Sequence, residues 1–262
     1  MADYSRYRYV KVVKEDKIAT VTLNRPEARN AIVDEMHLEL EDLFGQLAGE
    51  RDVNVVILTG AGRVFCAGGD IRQMKMDPFN PIFVSGARRL IHNILEVEQP
   101  IIAELNGDAI GLGATIALFC DITYAASNAR IGDPHVAVGG LVAGDGGAII
   151  WPLLIGLAKA KEMLLTGDLI SAAEAERIGL INKVVPPEEL HETVMALARR
   201  LASGPTWAVR WTKTAVNKRL RDEVNLILDF SLSAERLTVA TQDHHEAVQA
   251  FREKRAPQFK GK

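Results

Sequence analysis

The feature that most constrains the fold is an alternation of apolar strand patterns and helical patterns, with glycine where a strand passes into a helix. The stretches VNVVILTG, PIIAELNG and DITYAAS are strand-like, whereas residues 85–98 and GLGATIALFC are helical. Strands that alternate with helices in this way are typical of α/β proteins with a parallel sheet. At the N-terminus, YVKVVKEDKIATVTLN alternates apolar and polar residues around a turn and predicts a β-hairpin.

The chain divides near residue 187 into an α/β body and a helical region. A first helix is predicted from one apolar face, formed by Ile32, Met36, Leu40, Leu43, Phe44 and Leu47. Beyond Pro186 and Pro187, helical patterns cover residues 188–203, 206–219, 223–239 and 243–254. We therefore assign 1–187 to an α/β core and 188–262 to a helical oligomerisation region. Its apolar face, LILDFSLSAERL, predicts packing on the core or on another subunit.

The composition excludes several classes of partner. A net charge of −3 creates no overall field for nucleic acid or an anionic membrane. Apolar runs are shorter than the ~20 residues of a membrane span, and MADYSRYRYV lacks the apolar segment of a secretory signal. The two cysteines form neither a disulfide framework nor a metal-binding spacing. We expect a cytoplasmic protein with no nucleic-acid or membrane partner, no metal and no separate cofactor.

Two glycine-rich loops are candidates for ligand binding. FCAGGDI (65–71) follows a buried strand, and NGDAIGLGATIALFCD (106–121) passes from a strand into a helix. Backbone amides at a helix N-terminus are unpaired and can bind an anion. Taken singly, each loop is more often an ordinary tight turn, and neither matches the phosphate-binding pattern G-x-x-x-x-G-K-[ST].

Taken together with other stretches, these loops resemble a known family. LNRPEARNAI, FCAGGDI, NGDAIGLGATIALFCD, LTGDLISAAEAERIGLINKVV and EAVQAFREKRAPQFKG look like successive signatures of the enoyl-CoA hydratase/isomerase (crotonase) superfamily. The resemblance covers nearly the whole chain. It implies the crotonase fold, a spiral of ββα repeats, with C-terminal helices that assemble a homotrimer or a dimer of trimers. It also implies an acyl-CoA substrate, in which coenzyme A is part of the substrate.

The resemblance also implies which residues form the site. The amides of Ala67 and Leu112 would form an oxyanion hole that stabilises negative charge on the thioester oxygen. The substrate- and CoA-binding set would be Arg25, Ala28, Arg29, Gly68, Gly69, Asp70, Ile71, Gly111, Thr115 and Trp151. Two alternatives stay open: each arginine is equally well explained as surface charge, and Trp151 either packs in the core or lines the acyl pocket.

The chain departs from the family at the two positions where its hydratases commonly carry glutamates. These positions are occupied by Thr115, which cannot ionise near neutral pH, and by His135, whose unperturbed pKa is about 6.5. We therefore predict His135 as general base with Asp145 assisting. Asp145 is equally well interpreted as a helix N-cap, and Asp133 as a loop-capping residue, so the carboxylate that supports His135 stays open.

Three functions are compatible with this pattern. The one we favour is water addition to an enoyl-CoA, although hydratase and isomerase are not distinguished and the acyl chain is not specified. His135 and Asp145 also resemble the 6-oxocamphor hydrolase branch of the superfamily, which hydrolyses a C–C bond of a β-diketone without CoA. The third is a non-catalytic protein that binds acyl-CoA or RNA. The balanced charge argues against RNA, and the glycine loops beside His135 and Asp145 argue against a loss of catalysis.

Overall fold

The computed structural model describes residues 3–73, 77 and 79–262. Its larger sheet has six strands in the order β1-β2-β3-β4-β6-β9, and a smaller sheet pairs β5, β7 and β8. The strands are β1 Val10–Glu15, β2 Ile18–Leu23, β3 Val55–Gly60, β4 Ile101–Leu105, β5 Ala109–Ile110, β6 Ile122–Ala126, β7 Arg130–Gly132, β8 Ile170–Ser171 and β9 Lys183–Val185.

The predicted hairpin and the predicted parallel strands are both confirmed. Strands β1 and β2 pair antiparallel around Asp16 and Lys17, which both have positive φ, as a tight hairpin turn requires. From β2 onward, each neighbouring pair in the larger sheet is parallel. The chain therefore has the α/β architecture with a parallel sheet that the sequence predicts.

Helices cover both faces of the larger sheet. They are α1 Asp34–Gly49, α2 Ala87–Glu96, α3 Leu112–Leu118, α4 Gly147–Ile155, α5 Leu157–Thr166, α6 Ala172–Arg177, α7 Pro187–Ala202, α8 Thr206–Val239 and α9 Gln242–Glu253. In β3, Val56 and Leu58 belong to the main core with α1 and α2, whereas Val55 and Ile57 pack with the apolar side of α7. Successive side chains of a strand point to opposite faces, so a strand between two helical layers is apolar throughout.

The two helices predicted at 206–219 and 223–239 are one helix, α8. The expected interruption is wrong because residues 220–222, Leu-Arg-Asp, contain neither glycine nor proline. The junction is stabilised by an Arg219–Glu223 ion pair one turn apart (2.7 Å) and by the Arg221 guanidinium, which donates to the Leu95 carbonyl at 2.6 Å. As a result α8 continues past α2 and α4 and brings its C-terminal half to the cavity described below.

Within the described ranges, no helix combines the length and the hydropathy needed to cross a membrane.

Candidate active site

The glycine loops and the C-terminal helices enclose a cavity of about 150 Å³. Its apolar walls include Ile32, Val33, Ile71, Ile82, Leu141 and Val248. An engineered apolar cavity of similar volume binds benzene, so this space suits a small organic group. The polar groups gather where loop 65–71 meets β5, α3 and the π-helical turn His135–Gly139.

Glycine is required where the two loops meet. Gly68 has a φ of +83°, and a Cβ there would lie 2.7 Å from the carbonyl oxygen of Ile110. Gly111 has φ +55° and ψ −127°, outside the regions that other residues adopt. A Cβ on Gly111 would also lie 3.5 Å from Cε1 of His135. The loops therefore touch each other directly beside His135.

Two backbone amides in these loops have no hydrogen-bond partner among the described residues. Leu112 is the first residue of α3, where the N–H has no acceptor within the helix. The amide of Gly69 is also unpaired. The backbone on either side of it is engaged, because the Ile32 amide donates to the Gly68 carbonyl and the Asp70 amide donates to the Ile32 carbonyl. Two such donors at the junction of the loops are what an oxyanion hole needs.

The amide that we predicted from the sequence for the first donor, that of Ala67, is engaged elsewhere. It donates to the carbonyl oxygen of Arg29 at 3.1 Å. Gly69 lies only two residues further along the same loop. The sequence identified the loop but not its free amide, because the acceptor for Ala67 comes from a different segment of the chain.

His135 lies between two carboxylates. Its Nδ1 is hydrogen-bonded to Oδ1 of Asp133, which also accepts the His135 backbone N–H at 3.3 Å. Its Nε2 faces Oδ2 of Asp145 at 3.5 Å. Asp145 in turn accepts a hydrogen bond from the Thr115 hydroxyl at 3.2 Å. The N-cap interpretation of Asp145 is wrong, because α4 begins at Gly147 and its N-cap residue is Gly146.

The two carboxylates determine the charge of His135. Burial alone would lower the pKa of His135, but Asp133 and Asp145 outweigh burial and raise that pKa well above 6.5. Burial also raises the pKa of Asp145, and the charge of His135 opposes this increase. The two carboxylates therefore favour the imidazolium form of His135, whose charge they compensate.

Glu235, on α8, adds a fourth ionisable group that the sequence analysis missed. It is 3% exposed, lines the cavity, and its Oε2 has no partner among the described residues. Burial, and secondly the charge of Asp145, raise the pKa of Glu235 to about 8. Glu235 occupies the same buried helical stripe as Val224, Leu228 and Val239. The signal in the sequence that could have identified Glu235 is a single glutamate on the otherwise apolar face of this helix.

The predicted substrate-binding residues fall into two groups. Gly68, Gly69, Asp70, Ile71 and Gly111 line the cavity, whereas Arg25, Ala28, Arg29, Thr115 and Trp151 do not.

Each residue of the second group has a different environment. The Arg25 guanidinium pairs with Asp70 at 2.7 Å and donates to the Ala31 carbonyl. Arg29 is exposed in a left-handed conformation, and the neighbouring Ala28 is partly exposed. Thr115 lies behind Asp145, and Trp151 is fully buried in the main core.

The Asp133–His135–Asp145 cluster could also be considered as a cation site, since one ligand atom from each residue lies within 4.8 Å of the others. However, both ring nitrogens of His135 face carboxylate oxygens of the same cluster. We therefore interpret these three side chains as a cluster whose charges pair with one another.

Comparisons with known proteins agree with this architecture. The sequence profile of the family "Enoyl-CoA hydratase/isomerase" matches residues 13–262. A short-chain-enoyl-CoA hydratase from Clostridium acetobutylicum is 39% identical, over 92% of this chain and 94% of that protein. An enoyl-CoA hydratase/isomerase structure from Mycobacterium paratuberculosis has a TM-score of 0.84 at 35% identity, covering 92% of this chain and 97% of that one.

A third similar protein has a different reaction in its name. It is a β-diketone hydrolase from the cyanobacterium Anabaena sp., solved with (S)-3-oxocyclohexyl acetic acid. Its structure superposes with a TM-score of 0.84 at 29% identity, covering 91% of this chain and 97% of that chain.

Proposed function

The chain belongs to the enoyl-CoA hydratase/isomerase family, and from this premise we propose that it adds water across the double bond of a 2-enoyl-CoA thioester. The observation that carries the proposal is His135, which lies between Asp133 and Asp145 beside two unpaired amides. The first supporting homologue is named a short-chain-enoyl-CoA hydratase. The cavity volume also suits a small acyl group.

In this proposal the amides of Gly69 and Leu112 bind the thioester oxygen. Water addition at the β-carbon moves electrons toward the thioester carbonyl and forms an enolate. Two amide donors fixed by the fold stabilise that oxygen without reorganising, and each donor of this kind is worth about 2.7–4 kcal/mol in the transition state. We propose Gly69 in place of Ala67 because the Ala67 amide is already hydrogen-bonded.

The acid and base roles follow from the charges of His135 and Asp145. Oδ2 of Asp145 accepts a proton from water as the oxygen attacks the β-carbon. The His135 imidazolium then donates its Nε2 proton to the α-carbon of the enolate. A proton passes from Asp145 back to Nε2 across their 3.5 Å contact, which restores the starting state. Asp133 holds Nδ1 throughout and orients the ring.

Glu235 and Thr115 support this exchange. The Thr115 hydroxyl donates to Oδ1 of Asp145 and so leaves Oδ2 toward His135. Glu235 carries its proton at neutral pH, because its pKa is about 8. A neutral carboxylic acid adds no further negative charge to a site with two aspartates and is able to donate a hydrogen bond to bound water.

The coenzyme A part of the substrate needs cations outside the cavity. Arg29 is the better candidate of the two predicted arginines, because its side chain is exposed and a guanidinium suits phosphate groups. Arg25 is paired with Asp70 and in this proposal fixes the loop that carries Gly69.

The direct test is hydration of crotonyl-CoA and longer 2-enoyl-CoA thioesters by the purified protein, followed as loss of the conjugated thioester absorbance. We expect turnover that is unaffected by a chelator, since no step uses a metal ion. In His135→Gln the rate should fall about 10²–10⁴-fold, the usual contribution of general acid–base catalysis. A His92→Gln variant, altered at a half-buried histidine of α2, is the matched control and should keep its activity.

A second candidate is hydrolytic cleavage of a β-diketone, and the His135–Asp145 pair with the Anabaena neighbour favours it. In that reaction the water adds to a ketone carbon and the C–C bond breaks to leave an enolate. Cyclic β-diketones tested beside the enoyl-CoA thioesters distinguish the two candidates. Product from the diketones alone would replace our first proposal. Turnover of either substrate by His135→Gln at the wild-type rate would contradict both.

A further inference from the structure

His37 is the one cavity-lining group, among the described residues, with two buried polar atoms that both lack a partner. It lies in the first turns of α1 and is 2% exposed. Neither its Nδ1 nor its Nε2 has a hydrogen-bond partner in the described part of the chain. A buried polar group without a partner is unfavourable. An unpaired imidazole that faces a ligand cavity is explained if the ligand supplies the missing partner.

The ring of His37 is closely packed on the side that faces the segment before α2. A Cβ on Gly86 would lie 3.2 Å from its Cε1, and the ring lies close to the π-helical turn Ile82–Gly86. The cavity lining includes the apolar Ile82 and Ala87 as well as the polar Asp34, Gln73 and Asn80, but no described residue is hydrogen-bonded to the His37 ring. The nearest charges are those of Glu41, Asp34 and Arg89, and Arg89 is itself paired with Glu41.

His37 is electrically neutral. Burial is the main reason that the pKa of His37 is lowered to about 4. A neutral imidazole has one N–H donor and one acceptor nitrogen. The cavity therefore offers an uncharged donor and acceptor in addition to the Asp133–His135–Asp145 cluster.

We propose that His37 binds a second oxygen function on the acyl group, a ketone or hydroxyl beyond the β-carbon, so that the substrate class is an oxygenated acyl-CoA. This inference rests on the proposed function, because it assumes a CoA thioester in the cavity. The imidazole N–H donates to a ketone oxygen, or its acceptor nitrogen receives a hydroxyl proton. An unsubstituted acyl chain leaves both nitrogens unpaired and is therefore bound less tightly.

The test measures binding rather than turnover. Calorimetric titration would compare hexanoyl-CoA with 4-oxohexanoyl-CoA and 5-oxohexanoyl-CoA, which lack the double bond and are not hydrated. We expect at least one oxo thioester to bind wild-type protein about tenfold more tightly, equivalent to about 1.4 kcal/mol. In His37→Phe, which keeps a ring of similar size, the three thioesters should bind with equal affinity.

Two further variants separate a binding role from a structural one. His37→Asn keeps a donor and an acceptor and should recover part of the preference for the oxo thioester. His92→Phe, at a partly buried histidine of α2 outside the cavity, should keep the whole preference. Because the phenylalanine removes unpaired polar atoms, the melting temperature of His37→Phe should not decrease.

The outcomes are distinguishable. Equal binding of all three thioesters by wild-type protein would overturn the inference and leave the acyl-CoA proposal intact. Binding of none of them would overturn both. A preference that survives in His37→Phe, or a lowered melting temperature of that variant, would assign His37 to the fold and not to the ligand.

Discussion

At the scale of single residues, the charge of His135 decides how the site can act. A histidine in place of a family glutamate suggests a neutral base, because its ordinary pKa lies near 6.5. Two carboxylates in contact with the ring change that expectation and favour the imidazolium. His135 and Asp145 were predictable from the sequence as a pair. The resting protonation state depends on Asp133 contacting the opposite ring nitrogen, and spacing along the chain does not give that geometry.

The pH dependence of catalysis tests this protonation state. If the imidazolium donates the proton, kcat/KM falls as pH rises through the raised pKa of His135, and it falls in acid as Asp145 becomes protonated. We therefore expect a plateau around neutral pH. Asp133→Asn removes one of the charges that raise the pKa of His135, so the alkaline limb should move to lower pH. A rate that instead increases with pH above neutrality would identify neutral His135 as the base.

Glu235 should make the stability of the protein depend on pH. Its pKa is about 8 in the folded chain, against about 4.3 for an unperturbed glutamate. Between these values the folded state holds one more proton than the unfolded state, so the free energy of unfolding decreases as pH rises through that window. Glu235→Gln mimics the protonated carboxyl group and should therefore remove this decrease in the free energy of unfolding.

We expect the melting temperature of Glu235→Gln to exceed that of wild type by several degrees at pH 9 and to differ little at pH 5. One pKa unit corresponds to about 1.4 kcal/mol, and each 1 kcal/mol shifts the melting temperature of a large domain by about 2–4 °C. Glu35→Gln, at an exposed glutamate of α1, is the control and should show no such trend. A pH-independent difference would mean that Glu235 is ionised in the folded protein.

At the scale of elements, the sequence predicted the strands and helices that have an apolar periodicity within their own residues. The hairpin, the strands of the larger sheet and α1 each have a complete apolar pattern of their own. The strands β5, β7 and β8 are only two or three residues long, and long-range pairing forms them, so no local periodicity marks them. They nevertheless position Gly111, because its amide donates to the carbonyl of Gly132 at the end of β7.

The N-terminus of α3 offers a clean test of the oxyanion hole. Leu112 is the first helical residue, a position where proline is tolerated because its missing N–H has no acceptor in the helix. Leu112→Pro therefore removes one amide donor from the site and keeps the helix. We expect kcat to fall about 10²–10³-fold, the usual effect of deleting one oxyanion-hole donor.

Leu112→Ala is the matched control for the lost side chain, because it shortens the leucine and keeps the amide. The rate of Leu112→Ala should be much closer to that of wild type than the rate of Leu112→Pro is. The circular dichroism spectra of the two variants should be the same. Equal rates for the two variants would show that the Leu112 amide does not contact the reacting oxygen.

At the scale of the whole molecule, the helical region 188–262 has an inner side that belongs to the cavity and an outer side that faces away from the core. On its inner side it completes the cavity, because Glu235 of α8 and His244 of α9 line it. On its outer side it exposes large apolar residues. Those on α8 are Trp207, Trp211, Val216, Leu226, Phe230 and Leu237, each at least 52% exposed.

This outer face leads to a prediction about assembly. Large contiguous apolar patches are rare on monomeric proteins and usually mark an interface. Leu226 and Phe230 are one helical turn apart and both 76% exposed, so they lie on the same side of α8. We expect light scattering to give three or six times the mass of one chain. A Leu226→Asp/Phe230→Asp double variant should shift that mass toward the monomer, because charges on an apolar contact must lose their hydration. Val13→Asp changes an exposed residue of β1 and should leave the mass unchanged.

Since the same helix carries Glu235, loss of assembly should also lower activity. A fully active monomer would show instead that one chain alone holds the cavity in place.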